Sequence, residues 1–167
     1  MTALGSVVVE IERHVAAGGW DQPSRLYALV PTAELVRQEP VLAATWGLVE
    51  GAGSPLTPVE QEQLPVEPLD DVLAGVAWPA DVPGCAVVTE ATVLPPGAEQ
   101  DAPAGGADLT EWAARHPGRR EVRMAVGVLR DGSQAAVLRL RGEPDEVLTG
   151  PDLVPNLAAA LAATLAD

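Results

Sequence analysis

The segment "EVRMAVGVLRDGSQAAVLRLRG", Glu121 to Gly142, limits the fold more than any other part of the chain. Two alternating runs flank Asp131-Gly132, the pattern of a β-hairpin. Val122, Met124, Val126 and Val128 share one face of the first strand. A two-residue turn at Asp131-Gly132 would pair Val126 with Val137 and Met124 with Arg139, which sets a charge in the apolar face. A three-residue loop with Gly132 in the left-handed position shifts the register by one. Val122, Met124, Val126 and Val128 then stand opposite Leu140, Leu138, Ala136 and Gln134, and that face stays apolar along its length. The second register is the one predicted.

It fixes the other face too. Arg123 falls opposite Arg139, and Glu121 opposite Arg141. Directly opposed like charges destabilise a strand pair by a few tenths to ~1 kcal/mol, so an acid is expected beside the two arginines. Glu90, which shares a strand face with Thr92, is the candidate. Arg119 to Arg141 holds six Arg and two acids, whereas residues 1 to 110 hold three Arg and 16 acids. Two readings follow. In the first, the guanidinium face turns outward as a site for an anion or an acidic peptide, since Arg forks grip carboxylates and phosphates in bidentate fashion. Alternatively, Glu90, Glu121 and the acidic first half neutralise it internally.

Periodicity supplies the remaining elements. Leu4, Val7, Val8, Ile11 and Val15 fall at helical spacing, with Glu10, Glu12, Arg13 and His14 placed mostly off that face. Gly18-Gly19 ends this helix, because glycine accepts the left-handed geometry of a helix C-terminus. Arg25 to Val30 is apolar on both sides and reads as a covered strand, closed by Pro31. Thr32 is expected to cap a short helix through Gln38. "TPVE", Thr57 to Glu60, has capping-box spacing with Pro58 at the first helical position, which predicts a helix to Leu64. A further helix is expected over Pro68 to Val76, a strand over Cys85 to Leu94, and a short helix over Thr110 to His116. Residues 95 to 109 are expected to form a flexible Pro/Gly/Ala-rich loop. Asp152 is the expected N-cap of a C-terminal helix to Ala166, built on Val154, Leu157, Leu161 and Leu165. The sum is a two-layer α+β fold over residues 1–167 as one domain: an N-terminal helix, an antiparallel sheet including the hairpin, and a C-terminal helix packed on the sheet.

The corner "GGWDQPSRLYALVPT", Gly18 to Thr32, admits two readings. Trp20 can staple the turn to the core while Asp21 and Pro23 shape it. Loops at element ends also carry binding groups, which makes Trp20, Asp21, Gln22 and Arg25 candidate surface residues.

Charge and residue inventory exclude several classes. A formal charge of −14 opposes binding to nucleic-acid phosphates and to anionic membranes. Cys85 is the only cysteine, so no internal disulfide forms and the cytoplasm is the expected compartment. No signal-peptide pattern and no membrane-length apolar run occur. His14 and His116, the two histidines, have no neighbour at metal-ligand spacing, so neither a metal nor a cofactor is expected. Cys85 reads as a buried thiol rather than a nucleophile. "GAGSP" at Gly51 lacks the strand-then-helix context of a phosphate loop. Asp70-Asp71 reads as a solvated helix start. No catalytic residue emerges.

Taken in order, "GWDQPSRLYALVPT", "VEQEQLP", "VAWPADVPGCAVVTE", "VRMAVGVLRDG" and "DLVPNLAAALAATL" resemble an uncharacterised family of small acidic actinobacterial proteins. The likeness spans nearly the whole chain outside residues 95 to 109. It implies a single α+β domain and assigns no activity. All ten basic residues being Arg agrees with a high-GC genome.

The functional expectation is a non-enzymatic binding or adaptor module, monomeric or homodimeric, whose partner is a protein or an acidic peptide. Its candidate residues are Arg123, Arg139, Arg141, Glu90, Trp20, Asp21 and Arg25. The alternative is a small enzyme or ligand-binding protein with a cleft formed by Glu90, Arg123 and Arg139.

Overall fold

The computed structural model describes residues 3–45, 55–61, 69–93, 120–141, 147–150 and 153–165. The loop expected at 95–109 and the helix expected at Thr110 to His116 lie outside these residues, as do His116 and residues 51–54 of "GAGSP". The described elements, in chain order, are α1 (Ala3–Ala16), β1 (Arg25–Pro31), α2 (Thr32–Gln38), α3 (Pro40–Thr45), β2 (Leu56–Glu60), α4 (Leu69–Ala74), β3 (Gly84–Val93), β4 (Arg120–Leu129), β5 (Gln134–Leu140), β6 (Val147–Gly150) and α5 (Pro155–Thr164). The strands form one antiparallel sheet in the order β2-β1-β3-β4-β5-β6. The α+β class read from the sequence is the one observed.

The hairpin takes the predicted register: Val122 pairs with Leu140, Arg123 with Arg139, Met124 with Leu138, Val126 with Ala136 and Val128 with Gln134. Gly132 has φ +94°, a backbone conformation that glycine adopts without a Cβ penalty. β3 lies beside β4 with Glu90 opposite Arg123.

The helices divide between the two faces of the sheet. On one face Leu4, Val7, Val8, Ile11 and Val15 of α1 pack against Tyr27, Leu29, Ala86, Val88, Ala125 and Val137. Gly127 permits close approach there, since a Cβ at that position would stand 2.6 Å from a Val8 methyl. On the other face Leu157, Ala158, Leu161 and Leu165 of the C-terminal segment, with Leu73 of α4, cover Leu26, Cys85, Val87, Val126, Val128 and Ala136. By strand alternation Arg123 and Arg139 belong to the α1 face. The guanidinium side of the hairpin, which one of the two readings turned outward, therefore lies against a helix.

Four local expectations are corrected. "TPVE" is strand β2, not a helix. Pro58 sits opposite Leu29 at the edge of the sheet, where a residue without an N–H is tolerated. Thr32 is the first residue of α2 and buries its hydroxyl against that of Thr57 at 2.7 Å, while the N-cap is Pro31 without a side-chain cap. Val154 is the N-cap of α5, which begins at Pro155 rather than at Asp152. Glu12, placed on the polar side of α1, is 1% exposed. No helix among the described residues is long and apolar enough to cross a membrane.

Candidate functional site

Glu12 stands four residues after Val8 and one after Ile11, inside the stripe that α1 turns to the sheet. A lone carboxylate buried there would be costly. It is held by the two arginines that the hairpin register sets side by side. Arg139 donates from Nε to both Glu12 oxygens at 2.8 and 3.0 Å and from Nη2 at 2.6 Å. Arg123 Nη1 lies 3.6 Å from Glu12 Oε2. The repulsion between adjacent arginines is thus answered by one carboxylate from the N-terminal helix.

The anticipated partner Glu90 is present as well. Arg123 Nη2 reaches Glu90 Oε2 at 3.2 Å and also donates to the carbonyl of Gly19. Arg123 is 1% exposed. Among the described residues its Nε has no hydrogen-bond partner.

Glu90 then shapes the chain between α1 and β1. It accepts the backbone N–H of Asp21 at 2.9 Å on one oxygen and that of Gln22 at 3.3 Å on the other. Two successive amides aimed at one carboxylate require a sharp turn. Gly19 supplies part of it with φ +85°, and Asp21 supplies the rest with φ +64°. Asp21 is the one non-glycine residue with positive φ among those described, a conformation that Asp tolerates better than most. The Gln22 side chain donates to the carbonyls of Val15 at 2.8 Å and Gly19 at 2.7 Å, closing the end of α1.

Trp20 lies on this platform. Arg123 stacks 4.5 Å from its ring centre and Arg141 5.6 Å away. Arg141 forms a fork with Asp21, Nη1 to Oδ1 at 3.0 Å and Nη2 to Oδ2 at 3.2 Å, and bonds Glu121 at 2.5 Å. These two carboxylates hold the Arg141 guanidinium above its ordinary pKa, Asp21 contributing most. On the other flank Arg25 bonds Glu60 at 2.8 Å and Gln22 Oε1 at 2.9 Å. The Glu60 bond raises the Arg25 pKa against the opposing effect of burial. Tyr27 donates to the same Glu60 oxygen at 3.2 Å. Burial first, and Glu60 second, push the Tyr27 phenol up to about 12.

All seven predicted site residues therefore meet in one cluster. Arg123, Arg139 and Glu90 form its floor, and Trp20, Asp21, Arg25 and Arg141 its rim. Sequence reasoning missed two members. Glu12 was hidden because a charged residue at the margin of a helix's apolar stripe reads as solvent-facing, although two adjacent arginines called for an acid. Glu60 was hidden because its segment also matched a helix start. Counted together, Arg25, Arg123, Arg139 and Arg141 face Glu12, Asp21, Glu60, Glu90 and Glu121, so the cluster neutralises its own cations. Arg123 and its partner Glu12 are sealed from solvent, while Arg139 and Glu90 are partly buried; the rim is open, and the Asp21 side chain is 74% exposed.

Other reactive groups lie elsewhere. Cys85 is buried against the Thr164 hydroxyl, and burial raises its thiol pKa. His14 is exposed. Among the described residues no group of three or more His, Cys, Asp or Glu is arranged to hold a metal ion.

A family model, PPA1309-like protein, matches residues 4–166. Comparison with curated proteins and with solved structures gives no match.

Proposed function

We propose that this chain, which belongs to the PPA1309-like protein family, is a non-enzymatic binding module. Its contact surface is the turn between α1 and β1 with the two arginines at its rim. The observation that carries the reading is Asp21: a non-glycine residue in the left-handed region, tied by its N–H to Glu90 and by its carboxylate to Arg141, yet exposed. Backbone outliers that their surroundings over-determine cluster at ligand clamps and switch regions. A turn fixed before contact also spares a partner the entropy of ordering it.

The cluster supports binding better than catalysis. Arg123 and Arg139 already hold carboxylates, and Arg123 and Glu12 are sealed from solvent. At the rim, Arg141 and Arg25 have exposed acids as partners. Exposed pairs are worth only about 0.2–1 kcal/mol, so a partner's carboxylate can replace Glu121 or Glu60 at small cost. The partner is accordingly a protein segment that covers Trp20 and presents an acid to Arg141.

The test is a titration of the isotope-labelled chain with an acidic peptide and, separately, a basic one, followed through the backbone amides of residues 19–25 and the Trp20 indole N–H. Saturable shifts there with the acidic peptide support the reading. Shifts with the basic peptide alone would retain the surface and reverse the partner's sign. Silence of the turn toward both peptides overturns it.

A further inference from the structure

We propose that Arg130 is the clasp of a lid: it ties the last turn of α5 to the loop Pro79–Pro83, and on its release α5 lifts from the sheet over Cys85 while the α1 face stays closed. The inference is independent of the turn between α1 and β1.

Arg130 directly follows β4, and its guanidinium meets main-chain carbonyls from two separate parts of the chain. Nε donates to the Val82 carbonyl at 2.7 Å, Nη2 to that of Pro79 at 2.9 Å, and Nη1 to that of Leu165. Its backbone N–H donates to the Pro83 carbonyl at 2.8 Å. Only a guanidinium, with five donors fanned out in one plane, can reach several acceptors in this way. Leu165 is the C-cap of α5, the end at which a helix dipole gathers negative charge. α5 has no basic residue in its last turn, no acid in its first, and no side-chain cap at Val154. The cation at its end therefore comes from the hairpin rather than from the helix.

Other polar ties gather at the same turn. Trp78 Nε1 donates to Thr164 Oγ1 at 2.9 Å. Cys85 Sγ lies 3.5 Å from that hydroxyl and 3.8 Å from the Leu161 carbonyl. Cys85 is fully buried, and burial raises its thiol pKa, so the closed thiol is neither reachable nor ionised at neutral pH. Thiolate is the reactive form.

The two faces of the sheet are fastened differently. α1 is locked by Glu12, held between Arg139 and Arg123. The α5 sequence PNLAAALAAT contains no charged side chain that could do the same. At ten residues it is also shorter than the roughly 12–15 at which an isolated helix becomes marginally stable. It depends on packing of Leu157, Ala158, Leu161 and Leu165 and on the ties at its last turn. Proteins open in contiguous units, and the least fastened opens first. Opening here bares the apolar strand face lined by Leu26, Val87 and Val126.

Cys85, the only cysteine, reports the opening. The test labels it with a soluble aromatic disulfide and follows the released aromatic thiolate by absorbance, at fixed pH and in low urea. In the parent chain the labelling rate should rise with urea less steeply than global unfolding does, because a local opening exposes less surface. Arg130→Met keeps the hydrocarbon stem, loses the donors, and should speed labelling about tenfold or more. Val8→Ala, confined to the α1 face, should lower global stability yet leave the labelling rate unchanged, since the open state keeps α1 in place. Labelling that follows global unfolding in its urea dependence, or that speeds up in Val8→Ala in proportion to the stability lost, overturns the proposal. So does an unchanged rate in Arg130→Met. If Arg130→Met does not fold, the parent and Val8→Ala measurements decide alone.

Discussion

The Glu12 carboxylate takes three hydrogen bonds from Arg139, a residue 127 positions away, and the contact fastens α1 to the hairpin. Removing one partner of a buried pair leaves the others uncompensated, which typically costs 3–5 kcal/mol. Glu12→Ala should lose stability in that range by chemical denaturation. The triple change Glu12→Leu, Arg123→Met, Arg139→Met should recover most of it, because apolar replacements of similar volume remove the need for charge pairing. Equal losses in both variants would show that packing, not the ion pairs, dominates at this position.

Close approach of α1 to β4 depends on Gly127. A methyl there meets Val8 at 2.6 Å and Leu4 at 3.0 Å. Gly127→Ala should destabilise by about 1–3 kcal/mol, the usual cost of overpacking. Adding Val8→Ala to that variant should return part of the loss, measured as a coupling in a double-mutant cycle.

Asp21 bears a conformation that β-branched residues resist. Asp21→Asn keeps the tolerance for positive φ and should stay within about 1 kcal/mol of the parent. Asp21→Val should cost more than that, since its side chain meets the left-handed penalty of ~1–2 kcal/mol and loses Arg141 as well. Thermal unfolding of the two variants provides the comparison.

Tyr27 is the only tyrosine, so its ionisation can be followed directly by phenolate absorbance. With the folded phenol held near 12 and the unfolded one near 10, phenolate should be nearly absent from the folded chain at pH 10.5. The unfolded state loses its proton first. Stability is therefore fully present below about pH 10 and declines as pH rises toward 12, by about 1.4 kcal/mol per pH unit from this group. A midpoint near 10 in the folded chain would contradict the buried, Glu60-bonded phenol.

Much of this arrangement was legible in the sequence. The hairpin register followed from one conflict, a charge in an apolar face, and the register in turn demanded an acid near Arg123 and Arg139. Glu90 was found because alternation in a strand is unambiguous once the strand is recognised. Glu12 was not, because helix stripes have soft margins and a charged residue beside Ile11 reads as the solvent side. β2 was masked by chemistry common to two structures: a threonine, a proline and a glutamate start a helix, and they also suit an exposed edge strand. β6 is too short, at four residues, for alternation to signal it. That both sheet faces are covered is a tertiary fact. Val122 to Val128 marks one apolar face, while Ala125, Gly127, Ala135 and Val137 mark a second whose small side chains give a weaker signal.

Glu90, positioned by Arg123, holds the turn carrying Trp20 and Asp21. Amide hydrogen exchange at Asp21 and Gln22 measures this hold most directly. Both amides should be protected at least about tenfold in the parent chain, and Glu90→Ala should release them while the amides paired between β4 and β5 stay protected. Unprotected exchange of Asp21 in the parent, or protection unchanged in Glu90→Ala, would contradict the account.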